Sequence, residues 1–145
     1  MLQEKSKKII QKLGKKYHLK LIMLFGSSLK EKKLRFKNDI DLAILADKEF
    51  YESGQYSKFR FDLLEAADIE RREIDVVPIS AQNPILLYDI FQEGEPLYYR
   101  NEEEYYNIRS WARWSYEDNS RFFDLPKREK LLRKSIKQLE RALNN

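Results

Sequence analysis

The chain has 145 residues, enough for one domain with a real hydrophobic core and too few for two ordinary domains. Apolar residues make up 42% of it and charged residues 36%, a composition that favours a folded globular protein over a disordered one. It contains no cysteine, which excludes a disulfide scaffold, a cysteine-ligated zinc site and a thiol nucleophile, and which fits a reducing cytosol.

The formal net charge is +4, and many of the basic residues fall within the first 37 positions. A solvated helix face and a solvated loop are the simpler explanation of this run. The alternative is a positive field that gathers a nucleotide triphosphate or RNA. The N-terminal segment lacks the apolar core of a signal peptide, and no apolar run approaches the roughly 20 residues that span a bilayer. We therefore predict a soluble, cytoplasmic protein that does not bind a membrane.

The first half of the chain predicts a helix, two strands and a second helix, in that order. Apolar residues recur at helical spacing from Leu2 to Tyr17. The run "LKLIMLF" predicts a strand that ends at Gly26, and "DIDLAIL" predicts another strand after a lysine-rich loop. Ser53-Gly54 interrupts the chain, and residues 56–72 then predict one helix with a single buried stripe.

The second half predicts a strand, a short helix, an edge strand and a helical tail. The strand runs over Glu73–Ile79, and the helix that follows has Pro84 near its start and Gly94 just past its end. "EPLYY" predicts the edge strand, and the tail comprises helices over 102–123 and 126–143. This order predicts an α+β fold with a small mixed sheet packed against helices.

Two aspartates interrupt the second predicted strand. Asp39 and Asp41 are two positions apart, so both side chains lie on one face, while Ile40, Leu42 and Ile44 point into a core. Adjacent carboxylates repel each other unless a cation neutralises them, and hard oxygen ligands suit Mg²⁺ or Mn²⁺. An Asp-x-Asp pair can also serve only as a hydrogen-bonding group at a strand end, so the pair by itself leaves both explanations open.

A third aspartate and a Gly-Ser pair strengthen the catalytic explanation. Asp75 lies in the predicted strand "EIDVV", and three carboxylates converge if that strand neighbours the first. Such a triad can hold two metal ions about 3.5–4 Å apart. Gly26 and Ser27 follow the first strand, where backbone N–H groups and a hydroxyl can bind phosphate oxygens. We predict a metal site at Asp39, Asp41 and Asp75, with the phosphates that the metal bridges held at Gly26 and Ser27.

These residues resemble the nucleotidyltransferase superfamily typified by DNA polymerase beta, and in particular its minimal nucleotidyltransferase (MNT) domains. The shared pattern is a hydrophobic strand, Gly-Ser, a loop, Asp-x-Asp and a third Asp on a later strand, found here as "MLFGS", "NDIDLAIL" and "REIDVVPI". The resemblance covers about residues 1–100, which we predict to be the MNT domain, and residues 101–145 are predicted to be a C-terminal helical extension. The loop between Ser27 and Asp39 departs from the pattern, since it has eleven residues and no glycine.

The resemblance implies an enzyme that transfers AMP from ATP to a hydroxyl acceptor, with Mg²⁺ or Mn²⁺ at the three aspartates. MNT proteins resemble the antitoxin half of toxin–antitoxin pairs, whose partner is a HEPN-type ribonuclease toxin and whose acceptor is a tyrosine of that toxin. Two alternatives remain: an antitoxin that neutralises its toxin by binding alone, and a nucleotidyltransferase that modifies a small molecule such as an aminoglycoside.

The remaining polar and aromatic residues carry weaker predictions. Lys30 and Arg35 could contact phosphate, although a solvated loop explains both, and His18 has no ligand partner in view. Aromatic residues crowd the tail helices, where they could stack on bases. A core or an oligomer interface explains them better, so we expect direct nucleic-acid binding to be absent and homo- or hetero-oligomers to form through these helices.

Overall fold

The computed structural model describes residues 2–25, 39–80, 84–121 and 126–144; for residues 119–121 and 126–132 it describes the backbone alone. These residues form seven helices and four strands. The helices are α1 (Glu4–Lys16), α2 (Lys48–Glu52), α3 (Gln55–Asp62), α4 (Leu64–Glu70), α5 (Pro84–Glu93), α6 (Glu102–Arg121) and α7 (Pro126–Asn144). The strands are β1 (Leu21–Phe25), β2 (Ile40–Leu45), β3 (Ile74–Pro78) and β4 (Glu95–Tyr99).

The sheet is mixed, as the sequence predicts. Within the described residues its four strands lie in the order β3-β2-β1-β4. Strand β1 pairs antiparallel with both β2 and β4, and β2 pairs parallel with β3. The pairing of β1 with β4 shifts register between Ile22 and Met23. Both β3 and β4 are therefore edge strands, and β3 carries one of the three aspartates predicted to bind metal.

The two faces of the sheet support separate hydrophobic cores because successive strand residues point to opposite faces. The first core packs α1, α2, α3 and α4 against one face, and the second packs α5, α6 and α7 against the other. Strand β2 divides its residues in this way, with Ile40, Leu42 and Ile44 in the first core and Ala43 and Leu45 in the second. The prediction that Ile40, Leu42 and Ile44 point into a core is confirmed.

The region between β2 and β3 differs from the prediction. Helix α2 was not predicted, and the single helix expected over 56–72 is interrupted at Leu63, which ends α3 and precedes α4. Phe59, Leu63 and Ala66 are buried in the first core. Leu63 keeps helical backbone angles (φ −69°, ψ −15°), and the bonds from its N–H to the Phe59 carbonyl and from the Ala67 N–H to its own carbonyl link α3 to α4.

Helices α1 and α4 end in the same way, with a residue in the left-handed backbone region. His18 follows α1 with φ 54°, and Arg71 follows α4 with φ 55°. In each case the next N–H bonds back five residues, from Leu19 to the Gly14 carbonyl and from Arg72 to the Ala67 carbonyl. These are Schellman caps, in which glycine is usual. His18, for which the sequence suggested no role, therefore ends the first helix.

The tail helices complete the second core. Tyr105, Ile108 and Ala112 of α6 and Leu143 of α7 are buried in it. Among the described residues, no helix is long and apolar enough to cross a membrane.

A buried charge also connects the tail to the sheet. The Lys20 ammonium, whose side chain is 2% exposed, lies 3.2 Å from the Asp47 carboxylate. Arg100 contacts the same carboxylate at 3.2 Å and Glu104 of α6 at 2.9 Å. Because an unpaired buried charge is costly, this chain of ion pairs holds the start of α6 beside β1 and β2.

Gly94 lies where α5 passes into β4, and we expect its replacement by alanine to destabilise the fold. An added Cβ would lie 2.3 Å from the Ile90 carbonyl oxygen and 3.0 Å from that of Leu24. Since both are backbone atoms, the chain itself must move, at a cost of about 2–3 kcal/mol in the free energy of unfolding. Denaturant titration would measure this cost.

Gly54→Ala is the matched control. Its added Cβ meets nothing within 4 Å, but Gly54 has φ 79°, so only backbone strain of about 1 kcal/mol applies. If the Gly94→Ala protein is no less stable than the Gly54→Ala protein, the close approach of the Ile90 and Leu24 carbonyls to Gly94 would be contradicted.

Candidate active site

Two of the predicted metal-binding aspartates are direct neighbours in the sheet. The parallel pairing of β2 with β3 places Asp41 opposite Asp75. Strand partners are about 4.8 Å apart and present their side chains on the same face. Asp41 is half-buried, and Asp75 on the edge strand is exposed. The sheet thus holds two carboxylates side by side, the arrangement that favours a bound cation.

Asp39 lies immediately before β2, at the same end of the sheet. The N–H of Ile40 donates to the Glu73 carbonyl at 2.9 Å, which fixes the start of β2 beside the start of β3. Asp39 is half-buried and borders a surface cleft together with Asp75. All three aspartates therefore lie at the N-terminal end of the β2–β3 pair, as the sequence predicts if the two strands are neighbours.

The donors suit a hard divalent cation, although they do not form a complete cage. In the part of the chain that is described, no three carboxylate, histidine or cysteine side chains are grouped closely enough to hold a metal ion. Mg²⁺ commonly uses only one or two carboxylates and takes its other ligands from water and substrate phosphates. Asp41 and Asp75, with Asp39 next to them, fit that pattern. The predictions for Gly26, Ser27, Lys30 and Arg35 lie outside the described residues.

A cleft of about 930 Å³ runs along the edge of the sheet between β3 and the helices α3 and α4. These helices pack on the face of the sheet opposite to the one that carries the Asp41 and Asp75 side chains. Its size is typical of small-molecule and cofactor sites. Its charged lining residues are Asp39, Asp68, Glu73 and Asp75, together with Arg60, Arg71 and Arg72. Sequence reasoning missed these arginines, although "ERR" directly before the Asp75 strand offered a signal.

One wall of the cleft is supported by a partly buried hydrogen-bond network around Glu70 at the end of α4. The Glu70 carboxylate accepts bonds from the Ser6 hydroxyl at 2.6 Å, the Gln3 N–H at 3.0 Å and the Arg72 guanidinium at 3.1 Å. Burial alone would raise the pKa of Glu70, but these three donors outweigh it and hold the pKa below its ordinary value of 4.5. The network joins the start of α1 to the loop that carries Arg71 and Arg72.

We expect Glu70→Gln to lower the free energy of unfolding near neutral pH by about 1–3 kcal/mol, since it removes the charge from three hydrogen bonds. Because the pKa is lower in the folded state, the carboxylate stabilises the fold above pH 4.5, and this stability is lost as the pH falls through the folded-state pKa. Denaturant titrations should therefore show that the free energies of unfolding of the wild type and Glu70→Gln differ near neutral pH. This difference should shrink in steps as the pH falls below 4.5.

Glu65→Gln, at an exposed position on the same helix, is the control and should stay within about 0.5 kcal/mol of the wild type. A stability difference between wild type and Glu70→Gln that does not shrink at acid pH would contradict this role of the carboxylate.

The family comparison points to one superfamily. A family model described as "Polymerase beta, Nucleotidyltransferase" matches residues 7–103. No curated protein sequence matches the chain at a significant level. The matched residues include all three aspartates and every residue that lines the cleft.

Solved structures with the same fold are chains of toxin–antitoxin complexes. One holds a tri-AMPylated Shewanella oneidensis HEPN toxin with its MNT antitoxin (TM-score 0.55, 22% identity, 83% of this chain and 92% of that chain). Another is a toxin–antitoxin structure with AMP-PNP (TM-score 0.53, 21% identity, 80% and 91%). A third is the MntA–HepT complex (TM-score 0.52, 21% identity, 83% and 92%). At these identities the likeness shows a shared fold, and it agrees with the α+β prediction.

Proposed function

Because this chain belongs to the polymerase beta nucleotidyltransferase family, we propose that it transfers AMP from ATP to a hydroxyl group of a protein. The acceptor is a tyrosine of a HEPN-type ribonuclease toxin, and the chain acts as the antitoxin. The pairing of Asp41 with Asp75 beside Asp39 carries the catalytic part of this proposal. The fold shared with chains of MNT–HEPN complexes supports the choice of acceptor.

Each predicted site residue has a distinct task in this proposal. Asp39 and Asp41 hold Mg²⁺ or Mn²⁺, and Gly26 and Ser27 bind the β- and γ-phosphates of ATP. Asp75 completes the carboxylate set on the side from which the acceptor approaches. Its exposure on an edge strand supports that assignment, because an incoming hydroxyl can reach it from solvent.

The reaction exchanges one phosphorus–oxygen bond for another. The acceptor oxygen bonds to the α-phosphorus of ATP, the bond from that phosphorus to the oxygen bridging to the β-phosphate breaks, and pyrophosphate leaves. The hydroxyl proton passes to the Asp75 carboxylate, which acts as a general base. Bound divalent metal supplies stabilisation of the negative charge that builds up on the transferred group.

The partner surface that we propose is the exposed side of α6. Tyr105 belongs to the core, as expected for most of the tail aromatics, but Tyr106 and Trp114 are 48% and 49% exposed. Tyrosine and tryptophan are enriched in protein interfaces. These two residues support a contact between the tail and the toxin.

The test is a labelling gel with purified chain, Mg²⁺, α-labelled ATP and host lysate, beside an Asp39→Asn/Asp41→Asn protein. The expected result is a labelled protein band that only the wild type produces and that contains the acceptor tyrosine. Identical gels for both proteins would contradict protein nucleotidylation, and label found only in small molecules would favour the small-molecule alternative.

Neutralisation by binding alone is separated from catalysis by Asp75→Ala. If the chain acts as an enzyme, the Asp75→Ala protein should no longer protect cells against the toxin. If the chain only covers the toxin, the Asp75→Ala protein should still protect them. Retained protection, with Asp75→Ala still bound to the toxin in a pull-down, would favour the binding alternative.

A further inference from the structure

The first helix, α1, has a solvent-facing side that the proposed function does not use. Lys5, Lys8, Lys12 and Lys15 follow one another at intervals of three and four residues, so they form one stripe along the helix. All four lysines are exposed, and none of them has an ion-pair partner among the residues described. Part of the basic run at the start of the sequence is therefore a single charged side of one helix.

Helices α3 and α4 carry a second exposed stripe, which is apolar and acidic. Phe61 and Leu64 are 72% and 54% exposed, and Glu65 and Asp68 are exposed beside them. The backbone stays helical at Leu63, so these four side chains share one side of the two helices. Within the described part of the chain, neither carboxylate has an ion-pair partner. Neighbouring large apolar side chains that face water are typical of an interaction surface.

The two stripes lie side by side because α1 packs antiparallel to α3 and α4. The Ser6 hydroxyl donates to Glu70 at 2.6 Å near one end of α1, and the Tyr17 hydroxyl donates to Asp62 at 2.6 Å near the other end. A groove separates α1 from the other two helices, and its lining includes Leu13, Lys16, Phe61, Leu64 and Glu65. This side of the molecule therefore presents a basic helix and an acidic, partly apolar pair of helices on either side of one groove.

We propose that this surface binds a second copy of the chain in a symmetric dimer. The two-fold axis runs along the groove, so that α1 of each copy lies over α3 and α4 of the other. Each lysine stripe then faces the acidic stripe of the second copy, and every contact forms twice because a two-fold interface is self-complementary. An axis across the groove would place the two lysine stripes against each other, and their repulsion excludes that arrangement.

The antiparallel packing sets the register of the charged contacts. The start of α1 lies beside the end of α4, and a rotation about an axis along the groove keeps each residue at its own level. Lys12 therefore meets Glu65 of the second copy, and Lys8 meets Asp68. These pairs lie at the rim of the interface, where they determine the choice of partner more than the affinity.

The apolar residues of the stripe supply the centre of the interface. Phe61 lies at the level of Leu13 and Lys16, with which it lines the groove. In the dimer its ring packs on those two residues of the second copy, since a lysine stem offers apolar surface. Aromatic side chains near the centre of an interface carry much of its binding free energy.

The dimer leaves both candidate active sites uncovered. Helices α1, α3 and α4 pack on one face of the sheet, whereas the Asp41 and Asp75 side chains and the tail helices lie on the other. Two copies joined through α1, α3 and α4 therefore direct both carboxylate pairs away from each other. This inference goes beyond the proposed function and does not depend on it, because self-association needs neither ATP nor a toxin.

The test is sedimentation velocity of the full chain at concentrations from about 1 to 200 μM. We expect a dimer with a dissociation constant of about 10–100 μM, as befits a small interface with an apolar centre. Phe61→Ala should raise that constant about tenfold or more. A wild type that stays monomeric over the whole range would overturn the dimer.

Charge reversal tests the orientation of the two copies. Lys8→Glu/Lys12→Glu and Glu65→Lys/Asp68→Lys should each weaken the dimer about tenfold or more, because each places like charges opposite one another. An equimolar mixture of the two variants should dimerise as the wild type does, because each acidic stripe again meets a basic one. Recovery in the mixture would also show that both variants are folded.

Asp89→Lys/Glu103→Lys is the matched control, since it makes the same change in net charge at exposed positions of α5 and α6, on the other face of the sheet. It should dimerise as the wild type does, and its mixture with Lys8→Glu/Lys12→Glu should remain weak. Two variants that fail to associate when mixed would contradict the proposed contact. A loss of RNA binding in the lysine variant, with self-association unchanged in both variants, would overturn the dimer in favour of a polyanion on α1.

Discussion

Replacing Asp39 and Asp41 together by asparagine is expected to reduce AMP transfer by at least about a thousandfold without unfolding the protein. Asparagine keeps the size of each side chain but removes the negative charge that a divalent cation requires. Both positions are half-buried, at one end of the β2–β3 pair rather than within either core. The measurement is incorporation of α-labelled AMP into the acceptor, with thermal unfolding recorded for each protein.

Asp89→Asn is the control for this prediction, because Asp89 is an exposed aspartate of α5 and lines no part of the cleft. It should transfer AMP at the wild-type rate. Removal of divalent metal with EDTA should abolish transfer by the wild type, and Mg²⁺ or Mn²⁺ should restore it. Activity of the double variant close to that of the wild type would refute the assigned role of these carboxylates.

Phe59→Ala is expected to cost about 3–5 kcal/mol of the free energy of unfolding, a large share of the roughly 5–15 kcal/mol that holds a domain together. Phe59 is completely buried in the first core, where its ring meets those of Tyr17 and Phe50 edge-on at 5.8 and 5.9 Å. A packed core relaxes only partly around a deleted side chain, so most of the cavity would remain. Urea unfolding would measure this loss, and we expect the slope of the free energy of unfolding against urea concentration to stay unchanged.

Phe61→Ala removes the same atoms from the same helix, two residues later, and serves as the matched control. Phe61 is 72% exposed, so its loss should change stability by no more than about 0.5 kcal/mol. Equal effects of the two substitutions would contradict the orientation of α3 against the core.

The sequence predicted the strands and most helices because their signals are local. Apolar residues alternate or recur at helical spacing within each element, and Pro84 and Gly94 mark the two ends of α5. Where local signals were ambiguous, the prediction was wrong: α2 was missed, and the break at Leu63 was not foreseen. Leu63 is apolar and compatible with helix, so no local signal marks the interruption; the residue is buried in the first core.

Some residues of the candidate site could likewise be predicted from the sequence, and others could not. Asp39, Asp41 and Asp75 could be selected from the sequence because charged residues within apolar strands are costly and so suggest a function. Arg60 could not, since exposed arginines on helices are common.

What the sequence determined by itself is the four strands and most of the helices, the α+β class and the three aspartates, all of which depend on neighbours a few residues apart. Only the tertiary structure decided that Asp41 faces Asp75 and that Glu70 bonds to Ser6, a residue 64 positions away. Strand order and register depend on how the whole chain packs its two cores, because contacts between distant segments have no local periodicity to announce them.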